Sequence, residues 1–395
     1  MSPLSKTFGS QTLVDTTSQT TKNATSSSQI FTKETVPSIL EIKKQIPSQC
    51  FSPSILKSLQ YVILDLSIIA VLFFLFFFID KTTLIPEIVK DLLILPIYSF
   101  AQGTMFWAIF VLGHDCGHGS FSRYPLFNDI IGTFLHLLIL VPYTPWKLSH
   151  RHHHKNTGNI DKDEVFFPVR KSDTKNTLSG KEETIVTPYF AFGIGWAVYL
   201  IIGYGPRAIC HFNPLDPFFK NHRTGASISV IGVFSFSALL YYLSTLYGPW
   251  NIIKYYFLPL LIFASWLVIT TFLHHHGVEN NLKLPWYADE QWSYVLGNLS
   301  SVDRDYGLLH NVVHTIGTHQ VHHLFPSIPH YYLTSATEAF QNRYPQLIRE
   351  SKEPILKTFI NMYHVWRSQY LIADDTKVFV YQEINDKIND SKKQN

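Results

Sequence analysis

The chain has 395 residues, enough for two or three soluble domains by length, but only 15% of them are charged and 15% are aromatic. A net charge of +3 with no Lys/Arg run excludes a nucleic-acid binder, and apolar residues gathered in blocks exclude an ordinary soluble globule. Cys50, Cys116 and Cys210 are too few and too scattered for a disulfide framework or a C-x-x-C metal site, and they fit a reducing, cytosol-facing location.

Residues 1–38 are rich in Ser, Thr, Lys and Asn, lack the apolar centre of a signal peptide, and read as a disordered polar tail. The same acid-poor composition also fits a plastid transit peptide. Apolar runs follow at 61–79, with Asp65 near one end, and at 92–112. A helix crossing the hydrocarbon layer needs roughly 20 such residues. The run 131–141 is shorter, and 189–205 is interrupted by glycine, so both are expected to lie in the interface or against protein. Runs at 226–247 and 255–273 complete four spans. The expected fold is an all-α integral membrane protein, four transmembrane helices plus interfacial helices.

Arg123, Lys147, Arg151, Lys155, Lys162, Arg170 and Lys171 populate 113–188, whereas 80–91 balances Lys81 and Lys90 against Asp80, Glu87 and Asp91. The first segment is therefore expected in the cytosol and the second in the lumen. If the histidine-rich segments before 155 and after 310 share one metal site, an even number of spans separates them. That parity demotes 189–205 and puts both termini in the cytosol. The N-x-[ST] sites at Asn23, Asn298 and Asn389 should then stay unglycosylated.

Three clusters stand out among nineteen histidines: His114 with His118, His150 with His153 and His154, and His319 with His322 and His323. On a helix, positions i, i+3 and i+4 share a face, so each cluster aims its rings at one point. Isolated histidines such as His136, His222 and His364 read as surface or hydrogen-bonded residues. Structural zinc needs four ligands, catalytic zinc three, and haem one or two, whereas eight imidazoles suit two metal ions, iron among them. Iron beside an apolar chain implies O2 chemistry on an unactivated C–H bond, which no side-chain acid or base could deprotonate. Asp115, Asp161, Asp163, Asp303, Asp305 and Glu338 are candidates to accept the outer ring N–H groups. A membrane transporter would carry its ionisable residues inside the spans, and here the histidines stand outside them.

Taken together, HDCGHGSF at 114–121, PYTPWKLSHRHHHKNTGNIDKDEVFFP at 142–168 and DRDYGLLHNVVHTIGTHQVHHLFPSIPHYYL at 303–333 resemble the membrane-bound fatty acyl desaturases of the methyl-end branch. The resemblance runs from about Ile39 to about residue 345, leaving 346–395 as a cytosolic C-terminal segment. It implies a cytosolic di-iron cap with His114, His118, His150, His153, His154, His319, His322 and His323 as ligands. His152 falls at the variable position of the second box and reads as a bystander. FLHHHG makes His275 the match for a further ligand at the end of the last span, with His274 and His276 as competitors. His314 matches another family histidine.

The implied reaction removes two hydrogens from an acyl chain of a membrane lipid with O2 and two electrons. HDCGH, DRDYG and IPHYYL look most like omega-3 enzymes; the alternatives are omega-6 (delta-12) or bifunctional desaturation, and a hydroxylase on the same metal scaffold. His319 stands where front-end enzymes carry Gln, and no His-Pro-Gly-Gly segment is present. The electron donor is therefore expected to be a separate cytochrome b5 with its reductase, or ferredoxin in a plastid. The terminal Lys392-Lys393-Gln394-Asn395 looks like a dilysine retrieval signal and favours the endoplasmic reticulum over a plastid membrane. Homo- or hetero-oligomers are compatible with the sequence.

Overall fold

A computed structural model describes residues 29–174 and 193–384. The polar tail up to residue 28 and the dilysine end, with sequons Asn23 and Asn389, lie outside the described residues. Among the described residues, four helices are long and apolar enough to cross a membrane: α1 (Ile55–Lys81), α2 (Glu87–His118), α6 (Arg223–Tyr247) and α7 (Pro249–His275). Between them come α3 (Pro125–Leu137), α4 (Tyr143–Asn156) and α5 (Ile194–Ile202). After α7 follow α8 (His319–Leu324), α9 (His330–Arg343) and α10 (Ile355–Gln369). Residues 131–137 of the first short run belong to α3, and α5 lies within the described part of the second, from 193 on; neither helix is long enough to cross.

The four long helices are not equivalent. Within its most apolar window α2 is 61% buried and α7 50%, against 17% for α1 and 28% for α6, so α2 and α7 form the centre. They meet closely because Gly103 has no side chain: a Cβ there would stand 2.5 Å from the Pro259 carbonyl oxygen. Trp107 stacks on Trp266 at 5.4 Å beside the fully buried Phe263. Much of the apolar surface of α1, including Ile63, Val71, Phe74 and Phe78, stays exposed, as a lipid-facing helix requires.

Gly119, left-handed at φ 78°, ends α2 one residue after His118 and turns the chain back over the end of the bundle. The cap that follows is stitched by three two-residue strand pairs: Val169–Arg170 with Leu371–Ile372, Trp286–Tyr287 with Val378–Phe379, and Asp303–Arg304 with Glu350–Ser351. Residues beyond 345 therefore pack into the same body as the histidine segments.

Candidate metal centre

Four segments bring histidines to one end of the bundle. The last turn of α2 carries His114 and His118, and α4 carries His150, His153 and His154 on one face. The end of α7 carries His274 and His275, and α8 carries His319, His322 and His323. His276 leaves the helix in extended conformation, φ −136° and ψ 140°, so its ring diverges from its neighbours.

The rings form two groups. One nitrogen from each of His114, His118, His150, His154 and His322 lies within 4.8 Å of all the others; His153, His275 and His323 meet the same limit. His319 joins the second group, its Nε2 3.3 Å from His275 Nε2. His154 and His323 stack at 4.0 Å and connect the two.

Nitrogen faces nitrogen throughout: His118 to His114 at 3.2 Å, His154 to His150 at 3.1 Å and His153 to His275 at 3.1 Å, all between Nε2 atoms. Two neutral imidazoles satisfy such a contact only once, and the buried Nε2 atoms of His322 and His323 have no hydrogen-bond partner among the described residues. A metal ion accepting these lone pairs would satisfy them, so the donor set fits metal. Burial, followed by the mutual repulsion of neighbouring rings, pushes His150, His154, His319, His322 and His323 well below the ordinary histidine range and keeps them neutral. For His153 burial opposes protonation, but the Asp163 carboxylate outweighs it and raises the value.

The carboxylates predicted to hold the outer ring nitrogens divide. Asp163 accepts from His153 Nδ1 at 2.8 Å. Asp115 accepts from His330 Nδ1 at 2.9 Å, while its other oxygen stands 3.5 Å from His114 Nδ1. Asp303 is a correction: one oxygen takes the backbone N–H groups of His319 and Gln320, both at 2.7 Å, and so anchors the start of α8 and no ring. Asp161 is another, because Arg170 claims it at 2.7 Å. Asp305 and Glu338 are exposed, Asp305 accepting from the Gly307 N–H, and neither bonds a ring of the two groups. His314 lies outside both groups, with Nε2 2.6 Å from Asp65.

Among the competitors at 274–276, His275 points into the second group. His274 instead spans the Val302 carbonyl at 2.8 Å and the Tyr306 hydroxyl at 2.5 Å, and His276 turns to the Phe272 carbonyl at 3.0 Å. His152 faces away, 3.0 Å from the Lys162 carbonyl. Of the isolated histidines, His222 and His364 are exposed, whereas His136 is fully buried, 3.3 Å from the Phe110 carbonyl. Asn298 is also fully buried; its Oδ1 and the Thr157 hydroxyl flank His323 Nδ1 at 3.2 and 3.1 Å. Sequence reasoning missed Asn298, Thr157 and Tyr306, which stand 25, 166 and 32 residues from the rings they meet, and only packing brings them there.

Over the two groups opens a cleft with about 850 Å³ of free space, its mouth included. His150, His153, His275 and His319 line one side, and Trp107, Phe110, Trp146, Trp196 and Leu267 are among the aromatic and aliphatic groups on the others. One polar chain reaches its wall: Tyr199 lies 3.3 Å from both Ser149 and the buried Glu164, and burial raises the Glu164 carboxyl to about 8. An extended hydrocarbon fits this lining; a charged ligand would lose its hydration without replacement.

The family described as "Fatty acid desaturase" matches residues 91–350. An sn-1 acyl-lipid omega-3 desaturase (ferredoxin) of Nostoc sp. (strain 36) is 41% identical, covering 81% of this chain and 85% of its own. An omega-3 fatty acid desaturase, endoplasmic reticulum, of Nicotiana tabacum is 40% identical over 87% of this chain and 88% of its own. An acyl-lipid omega-3 desaturase (cytochrome b5), endoplasmic reticulum, of Arabidopsis thaliana is 40% identical over 79% and 78%.

Proposed function

The chain belongs to the fatty acid desaturase family, and from that premise we propose that it inserts a cis double bond at the omega-3 position of unsaturated acyl chains in membrane lipids, with linoleoyl chains as the type substrate. The observation that carries this reading is the meeting of two groups of clustered imidazole nitrogens with an apolar cleft.

The groups that would hold two iron ions are His114, His118, His150, His154 and His322 on one side, and His153, His275, His319 and His323 on the other. Iron bound there would supply O2 activation strong enough to oxidise an alkyl C–H bond. The balance is two hydrogens from adjacent methylenes, one O2, two electrons and two protons giving a double bond and two waters. The protein's own contribution is placement: Trp107, Phe110 and Trp146 confine the chain against the rings, and the apolar lining excludes water. Asp163 fixes His153 through Nδ1 and so directs Nε2 inward.

Electrons come, in this reading, from cytochrome b5 and its reductase, and the enzyme resides in the endoplasmic reticulum membrane with both termini in the cytosol. The names of the tobacco and Arabidopsis relatives support that compartment, and the Arabidopsis name supports that donor. The test is expression in a yeast host that makes no omega-3 double bonds, fed linoleic and oleic acids separately, with double-bond positions determined in the products. Conversion of linoleoyl to its omega-3 product is expected. Conversion of oleoyl alone would assign an omega-6 enzyme instead.

A further inference from the structure

Box three is the least self-supporting part of the centre. Its helix α8 runs only six residues, too few to be held by its own hydrogen bonds. Two histidines outside the ligand groups bracket it. Five residues before His319, the ring of His314 donates to Asp65 at 2.6 Å. Seven residues after His323, His330 donates both its Nδ1–H and its backbone N–H to Asp115, at 2.9 and 3.1 Å. Asp65 belongs to α1 and Asp115 to α2, so the two ends of the box are tied to two different spans. The His314 and His330 rings stand 4.6 Å apart, and Tyr61, one turn before Asp65, packs edge-on against both, at 5.3 and 4.6 Å.

Two features set the Asp65 contact apart from ordinary packing. Asp65 is 3% exposed on a helix whose other buried residues are only Ser58, Val62 and Phe76, and a carboxylate on a span is costly unless it serves a partner. The loop it grips is strained: His314 and Thr315 are both left-handed, at φ 55° and 54°, and neither is a glycine. Such backbone persists only where its surroundings over-determine it. Freed of Asp65, residues 314–318 could relax, and His319 is the next residue along.

We propose that Asp65 and His314 form a clasp between the first span and the third histidine box. They are positioning residues, neither of them a metal ligand, and the clasp holds α8 where His319, His322 and His323 can complete the two ligand groups. The inference rests on the di-iron reading above.

The test uses the full chain purified in detergent, with iron per chain, the Mössbauer spectrum and linoleoyl turnover measured on four variants. Asp65→Leu removes the acceptor and makes the span more apolar, so membrane insertion is not impaired. His314→Asn tolerates the left-handed backbone. The pair combines both, and Asp65→Asn retains an acceptor oxygen. Asp65→Leu and His314→Asn are each expected to lower kcat by about 10-fold or more with KM little changed, to lose iron, and to broaden the spectrum of what remains. The pair should be no worse than either alone, and Asp65→Asn should recover most of the iron.

Iron and turnover unchanged in Asp65→Leu, losses that multiply in the pair, or no recovery in Asp65→Asn would each overturn the clasp. Should Asp65→Leu fail to accumulate, Asp65→Ser, whose hydroxyl falls short of the ring, takes its place. His322→Ala is run alongside: iron retained there removes the ligand reading and the clasp with it, whereas iron lost there but kept in Asp65→Leu removes the clasp alone.

Discussion

At the end of the bundle away from the histidines, Asp80 receives Lys254 Nζ and the Tyr255 hydroxyl, both at 2.6 Å, and Lys90 Nζ donates to the Asp80 and Thr82 carbonyls and to Glu87, at 2.9, 2.6 and 2.7 Å. Both lysines sit in π-helical turns, at Lys90–Ile94 and Ile253–Phe257, which interrupt α2 and α7 at matching places near their starts. Opposite charges meet there and each of these donors finds an acceptor. At the histidine end the same two helices finish among rings that face one another nitrogen to nitrogen, with atoms such as His322 Nε2 unpartnered. One end is electrostatically complete without any added group, and removing one partner there would leave a buried charge uncompensated. The other leaves buried ring nitrogens with lone pairs that a metal ion could accept.

Substitutions at the two ends should therefore separate cleanly. The largest effect on turnover is expected from His153→Ala or His322→Ala: activity falls at least about 100-fold and iron per chain drops, while the protein stays in the membrane. Metal analysis beside product assay checks this. Asp163→Asn comes next, lowering iron affinity or activity about 10–100-fold by loosening His153, and an iron titration reads it. Tyr306→Phe removes a hydroxyl from His274, behind the ligands, and a loss of several-fold is expected in kcat with iron content kept. Lys254→Met should leave turnover per folded molecule unchanged yet lower the thermal midpoint, because Asp80 keeps a buried charge with one partner fewer, a defect typically costing about 3–5 kcal/mol. His152→Ala should change neither quantity. Normal iron in the His322 variant, or lost iron in the Lys254 variant, would break the contrast between the ends.

Much of this division could be read from the sequence. Spacing within the boxes is local information, since three or four residues along a helix fix which rings share a face; the apolar runs likewise set the spans. What escaped depends on residues brought together over long separations. Nothing at position 65 says that its carboxylate meets His314, 249 residues away. Asp115, Asp161, Asp163, Asp303, Asp305 and Glu338 look alike as letters, and only packing decides that Asp163 holds a ring, Asp303 a helix start and Asp161 an arginine. The choice among His274, His275 and His276 turned on where α7 ends, a boundary that periodicity fixes only to within a residue or two.

The central claim is that imidazoles from four separated segments hold a pair of iron ions under the acyl cleft. Metal analysis of the purified full chain, joined to X-ray absorption at the iron edge, tests it most directly. Two irons per chain in a nitrogen-dominated environment are predicted. A chain that turns over linoleoyl lipid with zinc or no metal bound, or whose iron is surrounded mainly by oxygen or sulfur, would contradict it.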